Sequence, residues 1–262
     1  VNEPPPLLPS PLATVLARPD GQPPQPETVA QEVPVALVLN GVSQAVMLAT
    51  PADLEDFALG IAVSEGWLRG PAELLDLEQA SAAQGLTLEL RVTQSAAARA
   101  AERRRTLSGR TGCGLCGIES LQQLPRPEPR VLPVIEPTAG MLTRAMTELH
   151  QGQVLNAQCG GLHAAAWCTP DGNVVLLRED VGRHNALDKL IGAVLRAGLD
   201  RGQGFVVLSS RASVELVHKT VVLGAGLLAT ASAPTALAVE SARRHGLALW
   251  AFVREGRGTR YA

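Results

Sequence analysis

Along this chain the spacing of hydrophobic and polar positions changes several times, and each change marks an element. Val35-Ala36-Leu37-Val38-Leu39 is an apolar run of strand length, Asn40-Gly41 is a strong hairpin turn signal, and Val42 to Leu48 reads as the return strand. Leu54, Phe57, Ala58 and Ile61 then share one helical face, with Thr50 as the expected N-cap and Pro51 at the first helical position. Asp53 suits the positive end of that helix, and Gly66 can end it. A second polar-to-apolar passage runs from Pro71 to Leu77. Leu86, Leu88, Leu90 and Val92 alternate with polar residues, the two-residue period of a half-buried strand. Ala96 to Arg105 is alanine-rich and favours helix.

Beyond a proline-punctuated connector, Leu124 to Arg130, strands and helices alternate. Thr138 caps an expected helix from Ala139 to His150. Strands are predicted for Leu162–Cys168 and Asn173–Leu177 around the turn sequence Pro170-Asp171-Gly172, and a helix for Asp180–Leu195. Phe205–Ser209, Leu227–Ala231 and Leu247–Val253 read as strands, and Val214–Leu223 and Thr235–His245 as helices. This alternation predicts an α/β layer with a largely parallel sheet. Residues 1–30 are proline-rich and read as a flexible tail. Residues 31–130 read as a smaller α+β domain and residues 131–262 as an α/β domain.

Composition narrows the function. Hydrophobic residues make up 46% of 262, enough to bury a real core, and the net charge of -2 gives no global field for nucleic acid or membrane. No stretch approaches the roughly 18 apolar residues of a membrane span. Residues 1–11 hold five prolines and no secretory-type apolar run. The four cysteines, Cys113, Cys116, Cys159 and Cys168, are too few and too uneven for a disulfide scaffold. A cytoplasmic setting is expected.

Chemistry concentrates at Gly112-Cys113-Gly114-Leu115-Cys116-Gly117. Glycine weakens helix and strand alike, so three in six positions predict a loop that presents its thiols. Arg103, Arg104, Arg105 and Arg110 lie just upstream, and positive charge favours the nucleophilic thiolate. Three chemistries stay open for a lone CxxC: half of a zinc site, a redox dithiol, or a sulfur carrier. No second CxxC or HxxxH completes a zinc site. Base deamination would need H-x-E with a downstream P-C-x-x-C, whereas His163-Ala164-Ala165 has no glutamate and no cysteine follows Cys168.

A resemblance covers residues 31 to 262. Arg110 to Glu119 resembles the signature loop of the FdhD family, the sulfurtransferases needed to mature formate dehydrogenase. Glu32–Gly41, Asp53–Gly60 with Ser64-Glu65-Gly66, Arg178–Lys189, Ser209–Ser213 and Thr235–Glu240 are similar to further family motifs. The resemblance implies a cytidine-deaminase-like C-terminal domain. It also implies a persulfide relay from a cysteine desulfurase to the molybdenum cofactor, in its bis-molybdopterin guanine dinucleotide form, with formate dehydrogenase as client. Cys113 takes the persulfide-forming position; Cys116 either resolves the persulfide or shares its sulfur. Phe252, Val253, Arg254, Glu255, Gly256 and Arg257 match the cofactor-binding segment, with GDP as a mimic of the cofactor's nucleotide. Arg183 and His184 are placed in the same cleft. The resemblance also implies a homodimer, and the residues and charge themselves lead to no expected metal of the protein's own, no nucleic acid and no membrane. The alternative is a chaperone that holds the cofactor without transferring sulfur.

Overall fold

A computed structural model describes residues 8–82, 84–106, 127, 130–254 and 256–262. The first domain is built on a four-stranded sheet. Strands β3 (Val33–Leu39) and β4 (Val42–Ala49) form the expected hairpin, and β6 (Gly85–Val92) pairs in parallel with β3. The passage after Pro71 is a short 3-10 turn leading into β5 (Leu74–Ala82), which pairs antiparallel to β6. Val33, Val35, Leu37 and Leu39 on β3 and Leu86, Leu88, Leu90 and Val92 on β6 all face one side. There they meet Leu54, Phe57, Ala58 and Ile61 of α1 (Leu54–Ser64) and Ala96 and Ala100 of α2 (Gln94–Thr106). Alternation makes one sheet face apolar, and that face needs a helical cover.

The second domain has six strands in the order β12-β11-β10-β9-β7-β8. Their ranges are β7 His163–Cys168, β8 Val174–Asp180, β9 Phe205–Leu208, β10 Leu227–Thr230, β11 Ala248–Arg254 and β12 Arg257–Arg260. Helix α3 (Ala139–Gly152) covers one face. The other face carries α5 (Arg183–Arg196), α6 (Val214–Leu223) and α7 (Ala236–His245). Strands buried on both faces read as continuous apolar runs, as in Phe205-Val206-Val207-Leu208. The protein is therefore α/β, as the alternation of elements predicts.

Four expectations need correction. In the six-stranded sheet the β9–β10 and β10–β11 pairings are parallel, but β7 pairs antiparallel with both β8 and β9, and β12 antiparallel with β11. A turn as short as 169–173 can join only antiparallel strands. The expected flexible tail contains a paired hairpin, β1 (Leu12–Ala17) with β2 (Gln25–Ala30). Its side chains are mostly exposed, so no buried face imposed a period on the sequence. Ala30 rests against Gly161, next to the short helix α4 (Asn156–Cys159). Asp180 ends β8, and α5 begins at Arg183. Finally, Thr50 does not cap α1. Asp53 takes the cap position with φ 52°, and the Thr50 hydroxyl accepts the Val181 N–H at 3.1 Å.

The two domains join where α1 crosses α5. A Cβ on Gly60 would lie 1.7 Å from the Asp188 carbonyl oxygen, and one on Gly192 would lie 1.9 Å from that of Asp56. The helices touch backbone to backbone, and only glycine fits at either point.

Candidate functional site at the sheet edge

The motif Arg178–Lys189 divides between two tasks. Most of it forms a buried ionic seam. Lys189 and Asp180, both fully buried, approach to 2.7 Å. The Lys189 ammonium also donates to the carbonyls of Thr50 at 2.9 Å and Glu179 at 3.2 Å, which uses all three of its protons. The Asp180 carboxylate further accepts from the Thr50 N–H, the Gly182 N–H and the Asn185 amide, at 2.8 to 3.0 Å. Asp188 pairs with Lys219 at 2.8 Å, and Ser64 donates to the same carboxylate. Burial opposes charge on Lys219, but Asp188 and Glu65 outweigh it and hold the ammonium above its ordinary pKa. Asp56 on α1 receives Arg178 at 2.7 Å and Arg196 at 2.9 Å. Glu179 accepts the N–H groups of Leu155 and Asn156 and so fixes the start of α4. These groups hold the domains together rather than face a ligand.

Arg183 and His184 differ. They start α5 at the C-terminal edge of the parallel strands, where open α/β sheets place ligands. The β9–α6 connection, Ser209 to Ser213, arrives beside them. His184 Nε2 lies 2.7 Å from Glu215 Oε2 in the first turn of α6 and 3.4 Å from Ser213 Oγ. His163, at the start of β7, is placed there because Ala164 exchanges backbone and side-chain bonds with Ser209. Burial, then the charges of Arg183 and His184, push His163 below its ordinary pKa. Burial and then Arg211 pull Arg183 down, against the pull of Glu215. Burial would raise Glu215, but the His184 hydrogen bond and the charges of His184, Lys219 and Arg183 hold it below the usual value. The result is a half-buried edge rich in positive charge.

The expected cofactor segment borders this edge. The Phe252 N–H reaches the Ser232 carbonyl at 3.5 Å, and the Ser232 N–H reaches that of Ser210 at 3.3 Å. Segments 210, 232 and 252 thus run side by side. Phe252 has φ 55° within a register shift of β11, and its ring is exposed, while Val253 is buried in the core. Arg254 and Arg257 are exposed around the β11–β12 turn, where Gly256 has φ 76°. Of the six expected residues, Val253 packs inward. Glu255 lies outside the described residues, as do Cys113 and Cys116 with their loop.

Of the remaining cysteines, Cys168 is buried and Cys159 half-buried. Burial, reinforced by Glu148, pushes the Cys168 thiol far above its ordinary pKa, and Cys159 Sγ donates to the Leu155 carbonyl at 3.4 Å. Among the described residues no group of three or more His, Cys, Asp or Glu is arranged to hold a metal. No described helix is long and apolar enough to cross a membrane. Sequence reasoning singled out Arg183 and His184 but missed His163, Arg211 and Glu215 as their neighbours. The Ser209–Ser213 motif was the signal for Arg211; nothing local links His163 to Glu215.

The fold and this edge define an α/β protein that presents cationic groups and helix N-termini at the switch from strand to helix. Comparison places it more narrowly: the chain belongs to the FdhD/NarQ family, whose model matches residues 30–262. It is 50% identical over 237 residues to a sulfur carrier protein FdhD of Cupriavidus necator, covering 90% of this chain and 82% of that protein. A sulfur carrier protein FdhD of Variovorax paradoxus is 53% identical over 230 residues, covering 86% and 81%. The crystal structure of a protein from Desulfotalea psychrophila, described as a formate dehydrogenase accessory protein, shares the fold. Its TM-score is 0.69 at 22% identity, with 95% of each chain covered.

Proposed function

We propose that this chain is a sulfur carrier that takes persulfide sulfur from a cysteine desulfurase and passes it to the molybdenum cofactor, for the benefit of formate dehydrogenase. The carrying observation is family membership over nearly all of the described fold, among relatives named as sulfur carriers. The Cys113 thiolate attacks the outer sulfur of the donor persulfide. The donor's S–S bond breaks, its thiolate leaves, and Cys113 holds the new persulfide. If the Cys116 thiolate then attacks the inner sulfur, a Cys113–Cys116 disulfide forms. The outer sulfur departs as hydrosulfide for the metal, with both electrons supplied by the thiol pair.

Chain length supports delivery to the sheet edge. Arg103, near the end of α2, donates to the Glu65 carbonyl, and Glu65 lies 3.5 Å from Lys219, one turn along α6 from Glu215. Cys113 lies seven positions beyond Thr106 (113 minus 106). At roughly 3.3–3.6 Å per extended residue, seven steps can span far more than one helical turn.

The test is intact mass after incubation with a cysteine desulfurase and free cysteine. One added sulfur atom, absent from Cys113→Ala, is expected. An unchanged mass in the unsubstituted protein would reject the carrier and favour a cofactor-holding chaperone. Cys113→Ala is also expected to leave formate dehydrogenase assembled but inactive.

A further inference from the structure

Among its described residues, helix α2 packs into the core with alanine methyls: Ala96 and Ala100 are buried and Ala97 is partly so. So small an apolar face contributes little to fixing where the helix ends. Two arginines act there instead. Arg99 and Arg103 are four residues apart, hence on one face of α2, and both reach the turn that follows α1. Arg99 donates to the Trp67 carbonyl at 3.3 Å, and Arg103 to the Glu65 carbonyl at 2.6 Å.

Gly66 provides the seat for Arg103. A Cβ on Gly66 would lie 2.7 Å from Arg103 Cζ, 2.8 Å from Nη2 and 2.9 Å from Nη1. Near-equal distances to three atoms of one plane place the guanidinium face-on against this glycine. Gly66 also has φ 68°, so glycine answers both the turn and the close approach. The other side of the turn is held by the second domain. Lys219 on α6 donates to the Ser64 hydroxyl at 2.9 Å and lies 3.5 Å from the Glu65 carboxylate. Asp188 on α5 holds the same ammonium at 2.8 Å. Through residues 64–66, the end of α2 is registered against α5 and α6.

We infer that Arg103, seated on Gly66, is a positioning residue for sulfur transfer: it fixes, relative to α6, the point from which the dithiol segment leaves α2. Transfer between protein groups is sensitive to such placement, because a misplacement of about 1 Å can cost on the order of a hundredfold in rate. The anchoring of α2 stands on the geometry alone; its part in transfer rests on the proposed function.

In the full chain, Arg103→Gln removes the planar group, and Gly66→Asn fills its seat with a residue that tolerates positive φ. Arg103 is exposed, and thermal melts should show both variants folded. Amide exchange in residues 101–106 should speed up about tenfold or more, with residues 54–64 unchanged. Sulfur already loaded should leave as hydrosulfide in excess dithiothreitol at the unsubstituted rate, since a small thiol needs no positioning. Activation of formate dehydrogenase by the loaded protein should fall about tenfold or more. Arg91→Gln removes an exposed arginine paired with Asp76 and should change none of these. Faster exchange with full activation would make Arg103 a residue of the fold and overturn the positioning role. Unchanged exchange in both variants would overturn the anchoring. A loss of dithiothreitol release equal to the loss of activation would overturn the positioning role by placing the defect in the persulfide itself. An unsubstituted protein that takes up no sulfur would reject the proposed function and the positioning role together, while exchange would still decide the anchoring.

Discussion

Residues 178–189 put Asp180, Asp188 and Lys189 into the seam between domains and Arg183 and His184 at the sheet edge, within one stretch of chain. In the seam every charge is answered. Asp180 accepts from four donors and Lys189 donates to three acceptors. At the edge two guanidinium groups stand without partners among the described residues. The contrast separates charge that serves the fold from charge left without a partner among the described residues. Buried charge is tolerated only when paired and hydrogen-bonded. Unpaired charge persists at a half-open edge because solvent still reaches it: Arg211 is exposed and Arg183 half-buried.

Substitutions should expose this contrast as different costs to stability. Lys189→Met leaves the Asp180 carboxylate buried without its cation and is expected to cost about 3–5 kcal/mol, measured by urea unfolding. A loss below about 1 kcal/mol would mean that the seam is not what joins the domains. Gly192→Ala drives a methyl into the Asp56 carbonyl and should cost about 1–3 kcal/mol or more, because α1 and α5 must separate. An unchanged Tm would rule out the backbone contact.

Acid titration probes the edge. His163 is held below its ordinary value of 6.5, so the folded state favours its neutral form. Its contribution is present above pH 6.5 and is lost as pH falls through that value toward the folded pKa. Glu215, held below 4.5, loses its contribution in the same direction at lower pH. His163→Gln should flatten the first part of that decline; an identical pH profile would place His163 away from the positive cluster. Arg211→Gln should have the smallest effect, within about 0.5 kcal/mol of the unsubstituted stability, by thermal melt. A large destabilisation would assign Arg211 to the fold.

Local pattern carried most of the elements. The alternation in β3 and β6 and the apolar run of β9 report burial that a short stretch can express, and the Thr138 cap of α3 is a hydrogen bond within one turn. The β1–β2 hairpin was hidden because it buries little. Asp180 reads as the first residue of a helix because acidic residues favour helix starts. Its actual partners, Thr50 and Lys189, lie 130 residues upstream and nine downstream (180 minus 50; 189 minus 180).

By itself, then, the sequence determined the α/β class, the order of most elements, the dithiol motif at 113 and 116, and the kinship that supplies a function. Tertiary structure alone decided which charges are spent and which are available. Pairing depends on partners brought in from distant strands and helices. Asp180 and Arg183 are three residues apart, yet one is enclosed by the crossing of α1 with α5 and the other is left at the open ends of α5 and α6.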